Sequence, residues 1–555
     1  LLVLPLLAAS WCGQGDRALA HEGPHPAANA DQTLDGKSQL AQGFVFHDQN
    51  ANGQRDPEEP GLADIRVSNG LDIVRTDAQG HYHLPIDDDQ IVFVIKPRNW
   101  KTPVNEAQLP QFFYIHKPNG SPASRFAGVA PTGPLPDSID FPLMPSEEPD
   151  QFKAIMFGDP QPRNVKEVDY IAHDIIDQIV KAEGHDASFG VTLGDIAFDN
   201  LGTMDPLNRA IAMIGIPWYN VIGNHDLNFE SPDDQHSDET FERIYGPSYY
   251  SFDYGAVHFM VLDDVRWFGR MPDQKPHYVG GLGETQMAFI RKDLEMIPED
   301  QMVVLMMHIP LTNVEDRQEL YRLIEKRPFS LSFSAHTHYN EHRFISDEDG
   351  WQGAEPHHHV VNVTACGSWW RGAPDELGIP HATMSDGAPN GYSVLTFDGH
   401  QYALQFHAAR RPASHQMNIH AAPALGQDAL ADENVIVNLF GGSKHARLEI
   451  RFGSSGDWQP MERFVGVAPY YQALKDREAA LADQLPKREG GGSNLPWISL
   501  PGAHQTPHLW RIALPTDLPT GTHAIEVRAV DMYGQTHRDQ RSIRILPADA
   551  ATAAK

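Results

Sequence analysis

Cysteine is almost missing: the 555 residues include two, Cys12 and Cys366. Two cysteines cannot build a disulfide framework, and a chain of this length can bury cores large enough to do without one. Stability is therefore expected from packed cores and bound metal. Long apolar runs are also missing. The stretch LLVLPLLAA at the N-terminal end is the only strongly apolar run there, and no segment reaches the ~20 residues that span a bilayer. Positive charge is scarce, with 43 Lys and Arg against 74 Asp and Glu, a formal net charge of -31. Such a balance repels phosphate backbones and excludes general nucleic-acid binding. No repeat of solenoid type occurs. What is present, 41% hydrophobic and 21% charged residues, is ordinary globular composition. At roughly 150 residues per domain, the length predicts three or four domains.

The N-terminal run LLVLPLLAAS is short, apolar and followed by small residues, which fits the hydrophobic region of a secretory signal. Ala18-Leu19-Ala20 offers a cleavage site, so residues 1–20 read as a signal peptide and the mature protein as secreted or periplasmic. Bulky Trp11 before Cys12 argues against a lipoprotein signal. Removal of the signal would take Cys12 with it and leave Cys366 unpaired.

Residues 21–40 are polar and proline-containing, a linker pattern. From 41 to 145, short β-runs alternate with turns (GFVFHD, DIRVSNG, QIVFVIKP), predicting a small N-terminal β-sandwich. PLMPSEEPDQ (142–151) reads as a second linker. Between 150 and 410 the pattern becomes strand then helix: KAIMF, a helical spacing at Val165, Val168, Ile171, Ile175 and Ile179, then SFGVTL and onward. That alternation means βαβ units and an α/β domain. From 425 to 547 strands return (NVIVNLF, ARLEIRF, HLWRIAL), predicting a second sandwich of immunoglobulin-like type, with GGGS at 490–493 as an internal loop.

Five segments of the α/β region each set Asp, Asn, Gln or His directly after a hydrophobic strand. They are MFGDPQ (Asp159, Gln161), VTLGDIAFD (Asp195, Asp199), NVIGNHD (Asn224, His225, Asp226), LMMHIP (His308) and FSAHTH (His336, His338). Ligand crevices in α/β folds lie at the carboxyl ends of strands, so these side chains should converge. Singly, a Gly-Asp turn or a lone His between apolar residues is usually structural. Five together, in order on successive strands, are not coincidence.

These segments resemble the calcineurin-like metallophosphoesterases, whose pattern is D-x-H, G-D-x-x-D, G-N-H-D/E, H and G-H-x-H. The resemblance spans roughly residues 150–405. It implies a four-layer αββα sandwich holding two divalent metal ions (Mn, Fe, Zn or Mg), flanked here by the two small β-domains. Carried over by position, Asp195 would bridge both metals. Asp159, Gln161 and His338 would complete one site, and Asn224, His308 and His336 the other. A hydroxide bridging the metals would attack phosphorus, while His225 assists the leaving group. Asp199 or Asp226 could orient its imidazole, with Asp199 preferred. Two departures stand out: Gln161 replaces the first-motif His, and Ala335 replaces the last-motif Gly. An amide oxygen in place of imidazole should weaken zinc binding and favour harder cations.

The expected partner is a phosphate ester, monoester or diester. The Gly-, Pro- and Trp-rich stretch 363–394 supplies Trp369, Trp370 and Arg371 as substrate contacts, although a plug against the C-terminal sandwich would use the same residues. Trp267, Phe268, the His236 loop and Arg163 are further pocket candidates. In the N-terminal domain, Asp48, Asn50, Asn52, Gln54, Asp56 and Glu59 occupy positions 1, 3, 5, 7, 9 and 12 of an EF-hand loop, with Gly53 at the sharp turn. Strands, not helices, flank it, so the expectation is a structural calcium ion, set against an Asn/Asp-rich turn without one. The alternative for the whole chain is a calcium-braced secreted scaffold whose α/β domain binds without catalysing.

Overall fold

The computed structural model describes residues 39–181, 186–269, 277–453, 456–486 and 494–548. The proposed signal, nearly all of the 21–40 linker and the GGGS loop lie outside the described residues.

The centre of the molecule is two sheets packed face to face. One has five strands in the order Trp218–Val221, Ala187–Leu193, Gln151–Phe157, Gly391–Asp398, Gln401–Ala408. The other has six, in the order Tyr250–Tyr254, Val257–Val261, Met302–Met306, Ser330–Ser334, His357–Val361, Glu341–Ile345. Strand Gln151–Phe157 runs parallel to Ala187–Leu193 and antiparallel to Gly391–Asp398. It is buried on both faces, so successive side chains enter different cores. Ala154 and Met156 join the core between the sheets, whereas Ile155 and Phe157 pack outward beneath helices. Aromatic rings fill the space between the sheets: Phe152 stacks on Phe397 of the neighbouring strand at 4.9 Å, and Phe189 meets Phe259 of the opposite sheet edge-on at 5.3 Å.

Helices cover both outer faces. On the five-stranded side, Val168, Ile171, Ile175 and Ile179 form one apolar stripe, continued by Leu207 and Ile211 of helix Met204–Ile211. The first of these helices is α-helical over Val165–Ile171, widens into a π-turn over Ala172–Ile176 and returns to α over Asp177–Lys181. Helices Gly283–Glu295 and Arg317–Ile324 lie against the six-stranded sheet through Met287, Phe289, Ile290, Leu320 and Ile324. The result is the αββα sandwich.

The N-terminal region forms two four-stranded sheets, and Phe93 packs on Phe289 at 5.9 Å, fusing its core with that of the α/β domain. The first half of the segment read as a linker at 142–151 is instead strand Phe141–Pro145. Phe141 and Leu143 alternate into the core while the strand pairs in parallel with Gln39–His47. The C-terminal region has sheets of four and five strands. It also carries helix Pro469–Gln484, which the strand-dominated reading did not anticipate. Pro469 at its first position and the helix-favouring run ALKDREAALADQ account for it.

Candidate metal centre

The five motif segments all emerge at the same end of the sandwich, at the carboxyl ends of strands Gln151–Phe157, Ala187–Leu193, Trp218–Val221, Met302–Met306 and Ser330–Ser334. Two sets of potential ligating atoms form there, each within 4.8 Å of one another: Asp195 with His308 and His336, and Asp159 with Asp195 and His338. Asp195 belongs to both.

The backbone departs from the usual regions to bring them in. Asp159, Gln161, Asp195, His336 and His338 all have positive φ, between 36° and 67°. Left-handed non-glycine residues cost roughly 1–3 kcal/mol each and concentrate at functional sites, where surrounding contacts enforce them. Packing is equally tight around two glycines. A Cβ on Gly194 would lie 2.4 Å from His308 Nδ1, and one on Gly223 would lie 2.0 Å from the Asp195 backbone nitrogen.

Hydrogen bonds fix which ring nitrogen of two histidines faces inward. His308 Nδ1–H donates to the Leu193 carbonyl at 2.9 Å, and His338 Nδ1–H donates to that of Gly367 at 2.6 Å. Their Nε2 lone pairs are thereby left for a cation. His308 Nε2 lies 3.0 Å from Asn224 Oδ1, 3.3 Å from Asp195 Oδ1 and 3.1 Å from His336 Nδ1. Ligands about 2.0–2.1 Å from a tetrahedral metal sit about 3.3 Å apart, so this spacing suits a bound cation. The second set is also poised: Asp159 Oδ1 is buried without a hydrogen-bond partner among the described residues and lies 3.8 Å from His338 Nε2. Gln161 fits less directly. Its Nε2 donates to Asp195 Oδ2 at 2.6 Å while Oε1 faces the Cys366 sulfur at 3.7 Å. The amide must rotate to offer its oxygen to a metal.

Electrostatics carry the mark of carboxylates and imidazoles crowded together. Burial pushes the Asp159 carboxyl well above its ordinary range, with neighbouring Asp195 adding to the rise. Burial would also raise Asp195, but His308 and His225 outweigh it and hold the carboxyl down. His308 is driven up to about 10 because its ion pair with Asp195 overcomes burial. Burial and the nearby His308 press His336 down to about 3, and burial presses His338 to about 4.

His225 sits beside these groups. Its backbone N–H donates to Asp195 Oδ1 at 2.9 Å and its ring Nδ1–H to Asp199 Oδ1 at 2.6 Å. Phe198 stacks on the ring at 4.4 Å. Asp226 has a different task from orienting His225. Its carboxylate accepts from the backbone N–H groups of Ile196, Ala197 and Gly223, tying the Asp195 turn to the Asn224 turn. Asp264, which the sequence reading missed, does the same for His308, accepting its backbone N–H and that of Ile309, both at 3.1 Å. Its Leu-Asp-Asp-Val context carries no distinguishing pattern.

Trp369 stacks on the His338 ring with centroids 4.0 Å apart, and the Arg371 guanidinium lies 5.2 Å from the Trp369 ring. Trp370 does not join them as a substrate contact. It is 2% exposed, and its indole N–H is spent on the Pro160 carbonyl. Arg163 is paired with Glu167 and donates to the Trp369 carbonyl at 3.1 Å, bracing the loop. Trp267 is likewise buried, its N–H held by the Ser231 carbonyl. Phe268 is exposed.

A third group of potential ligands, Asp89, His236 and Glu239, lies where the N-terminal and α/β domains meet. The Lys117 ammonium already fills the cationic role there, contacting Asp89, Glu239 and Glu242. In the EF-hand-like loop, Asp48 accepts the N–H groups of Asn52 and Gly53, and Glu59 accepts those of Gln49 and Asp56. The Asn50 and Asn52 amides donate to Asp56 Oδ2. The loop's own hydrogen bonds thus draw its carboxylates and amides together.

Three family models match the chain. The N-terminal domain of calcineurin-like phosphoesterase matches residues 49–128, calcineurin-like phosphoesterase itself 153–340, and its C-terminal domain 359–537. No curated protein sequence matches it. Among solved structures, it is similar to a dimetal phosphatase from Danio rerio at 15% identity, covering 46% of this chain and 96% of that one, TM-score 0.32. It is also similar to the purple acid phosphatase PPD1 from seeds of yellow lupin, Lupinus luteus, at 13% identity, covering 68% and 72%, TM-score 0.34.

Proposed function

The chain belongs to the calcineurin-like phosphoesterase family, a metal-dependent phosphoester hydrolase, and we propose that it works through a dinuclear centre. One metal would be held by Asp159, Gln161, Asp195 and His338, the other by Asp195, Asn224, His308 and His336. The observation that carries this reading is the membership of Asp195 in both ligand groups, as a carboxylate shared between two cations requires. When bound, such a metal pair supplies a solvent nucleophile at neutral pH and offsets charge on the phosphoryl oxygens.

The chain's own residues do the rest. His225 donates a proton to the departing alkoxide, and Asp199 keeps the imidazole oriented with Nε2 toward the reaction. Trp369 holds the His338 ring in place from one side. Arg371, which forms no ion pair among the described residues and lies 5.2 Å from the Trp369 ring, offers positive charge beside the site in an otherwise acidic chain. Secretion to the periplasm or beyond is supported by the apolar N-terminal run, and a structural calcium ion in the Asp48–Glu59 loop by its ligand spacing.

The test is elemental analysis of the purified protein combined with a panel of phosphate mono- and diesters, with and without chelator. Two divalent ions per chain and chelator-sensitive turnover are expected. A fully active, metal-free protein would remove the reading.

A further inference from the structure

The last metal-ligand segment is held by the C-terminal domain as well as by its own. Asn340, two residues beyond His338, donates its backbone N–H to Asp386 Oδ2 at 2.8 Å and its side-chain N–H to the Phe440 carbonyl at 3.0 Å. Asp386 Oδ2 also meets His508 Nε2 at 3.2 Å, while His508 Nδ1 lies 2.7 Å from Asn438 Oδ1. Asn438 closes the ring by donating Nδ2–H to the Asp386 carbonyl at 2.8 Å. Tyr339 adds a second joint, stacking on His504 at 4.2 Å and 8°, and His504 in turn donates its backbone N–H to the Ser385 carbonyl.

Three parts of the chain meet here: the His336–His338 turn, the far end of the 363–394 loop, and the strands Asn434–Leu439 and Gln505–Ala513 of the C-terminal domain. Asp386 and His508 are fully buried, and Asn340 and Asn438 nearly so. The Asn438 amide is fixed by its own donation, so both nitrogens of His508 face acceptors. A buried carboxylate engaged this way keeps one geometry, because each alternative leaves a polar group unpaired.

We propose that Asp386 and His508 are positioning residues of the metal centre, through which the C-terminal domain sets the aim of His338. The inference rests on the reading of His338 as a metal ligand. Loss of a partner behind a metal ligand typically costs 10–100-fold in metal affinity.

The test measures metal stoichiometry and the rate of release to a chelator in the full-length protein, alongside circular dichroism and thermal melting. Asp386→Asn and His508→Leu should fold but release metal at least about tenfold faster than wild type. His508→Gln, which keeps a donor toward Asp386, should fall between and carries the test where the other variants fail to fold. Gln535→Ala is the control: its side chain crosses the same domain junction to the Leu404 carbonyl, beside strand positions well up the sheet from Asp159. Wild-type release rates in every folded Asp386 and His508 variant, or equal acceleration in Gln535→Ala, would overturn the proposal. A wild type that binds no metal would instead remove the reading beneath it.

Discussion

The Nδ1 of His225 lies 2.6 Å from Oδ1 of Asp199, on a ring that also stacks against Phe198. The carboxylate leaves Nε2 as the nitrogen free to face substrate. Burial alone would lower the basicity of His225, but Asp195 and Asp199 together raise it. A general acid matters most where the leaving group is a poor one. His225→Asn should therefore lower kcat on alkyl phosphate esters by about 10²–10⁴-fold, and far less on nitrophenyl esters. Asp199→Asn should show the same ranking with smaller losses. Equal losses on both ester types would assign His225 to metal or phosphate binding instead of proton transfer.

Asp195 and His308 stand where removal cannot be compensated. Asp195 serves both ligand groups, and His308 contacts Asp195, Asn224 and His336 while spending Nδ1 on Leu193. Asp195→Asn and His308→Ala should lower activity by more than the roughly 10–100-fold expected for an outer partner, with the circular dichroism spectrum preserved. Wild-type rates in both variants would exclude the dinuclear mechanism.

Metal should also stabilise the folded chain, because the buried Asp159 Oδ1 has no other partner among the described residues. At a free metal concentration 100 times Kd, the gain is about 2.7 kcal/mol per site. Thermal melting with and without manganese, after chelator treatment, reads this directly. Asp159→Asn should shrink the metal-dependent rise in Tm.

The alternation of strand and helix, and the polar residue after each of five strands, made the α/β layers and the clustered motif residues legible in the sequence. Those features are local in the chain. What escaped was built from distant or patternless groups. Asp264 grips the His308 backbone across 44 positions, and the Asp386–His508 contact spans 122. Neither has a spacing that could announce it. Trp370 illustrates the opposite error: both it and half-buried Trp369 have positive φ, 52° and 55°, yet only Trp370 is turned fully into the core. Strand Phe141–Pro145 was hidden by Pro142 and Pro145, residues uncommon inside a strand, yet it pairs with Gln39–His47 on one side and Trp100–Lys101 on the other.

Gln161 is the residue whose chemistry departs most from the family pattern. Its amide now donates to Asp195 Oδ2 at 2.6 Å, and an oxygen ligand there favours harder cations than imidazole does. Gln161→His should slow zinc release from the first site by about tenfold or more and shift the metal preference toward zinc. The checks are chelator competition and elemental analysis after mixed-metal loading. Unchanged zinc retention would show that Gln161 is not a ligand.

The junction between the N-terminal and α/β domains should give the fold a specific pH dependence. His258 is fully buried, with Nδ1 2.7 Å from Asp253 Oδ1 and Nε2 3.0 Å from Asp293 Oδ2. Arg66 reaches in from the N-terminal domain to both carboxylates at 2.7 Å. Ser251 also contacts Asp293, Gln301 contacts Asp253, and Lys96 donates to the Asp253 carbonyl. Burial opposes charge on His258, but Asp293 and Asp253 outweigh it and raise its pKa above 6.5. Burial likewise opposes charge on Asp293, where His258 and Arg66 prevail and hold it near 2. The His258 contribution is therefore complete below about pH 6.5 and fades as pH climbs through the raised value. The Asp293 contribution is complete above about pH 4 and is lost as pH falls toward 2. His258→Gln leaves buried carboxylates short of a partner and should cost about 3–5 kcal/mol at pH 6, read from urea midpoints. The gap between wild type and variant should narrow as pH rises above 6.5, because the wild-type imidazole gives up its proton and the variant has none to lose. A gap that stays constant across that range would show that His258 is neutral in the folded protein and that Arg66 alone balances the two aspartates.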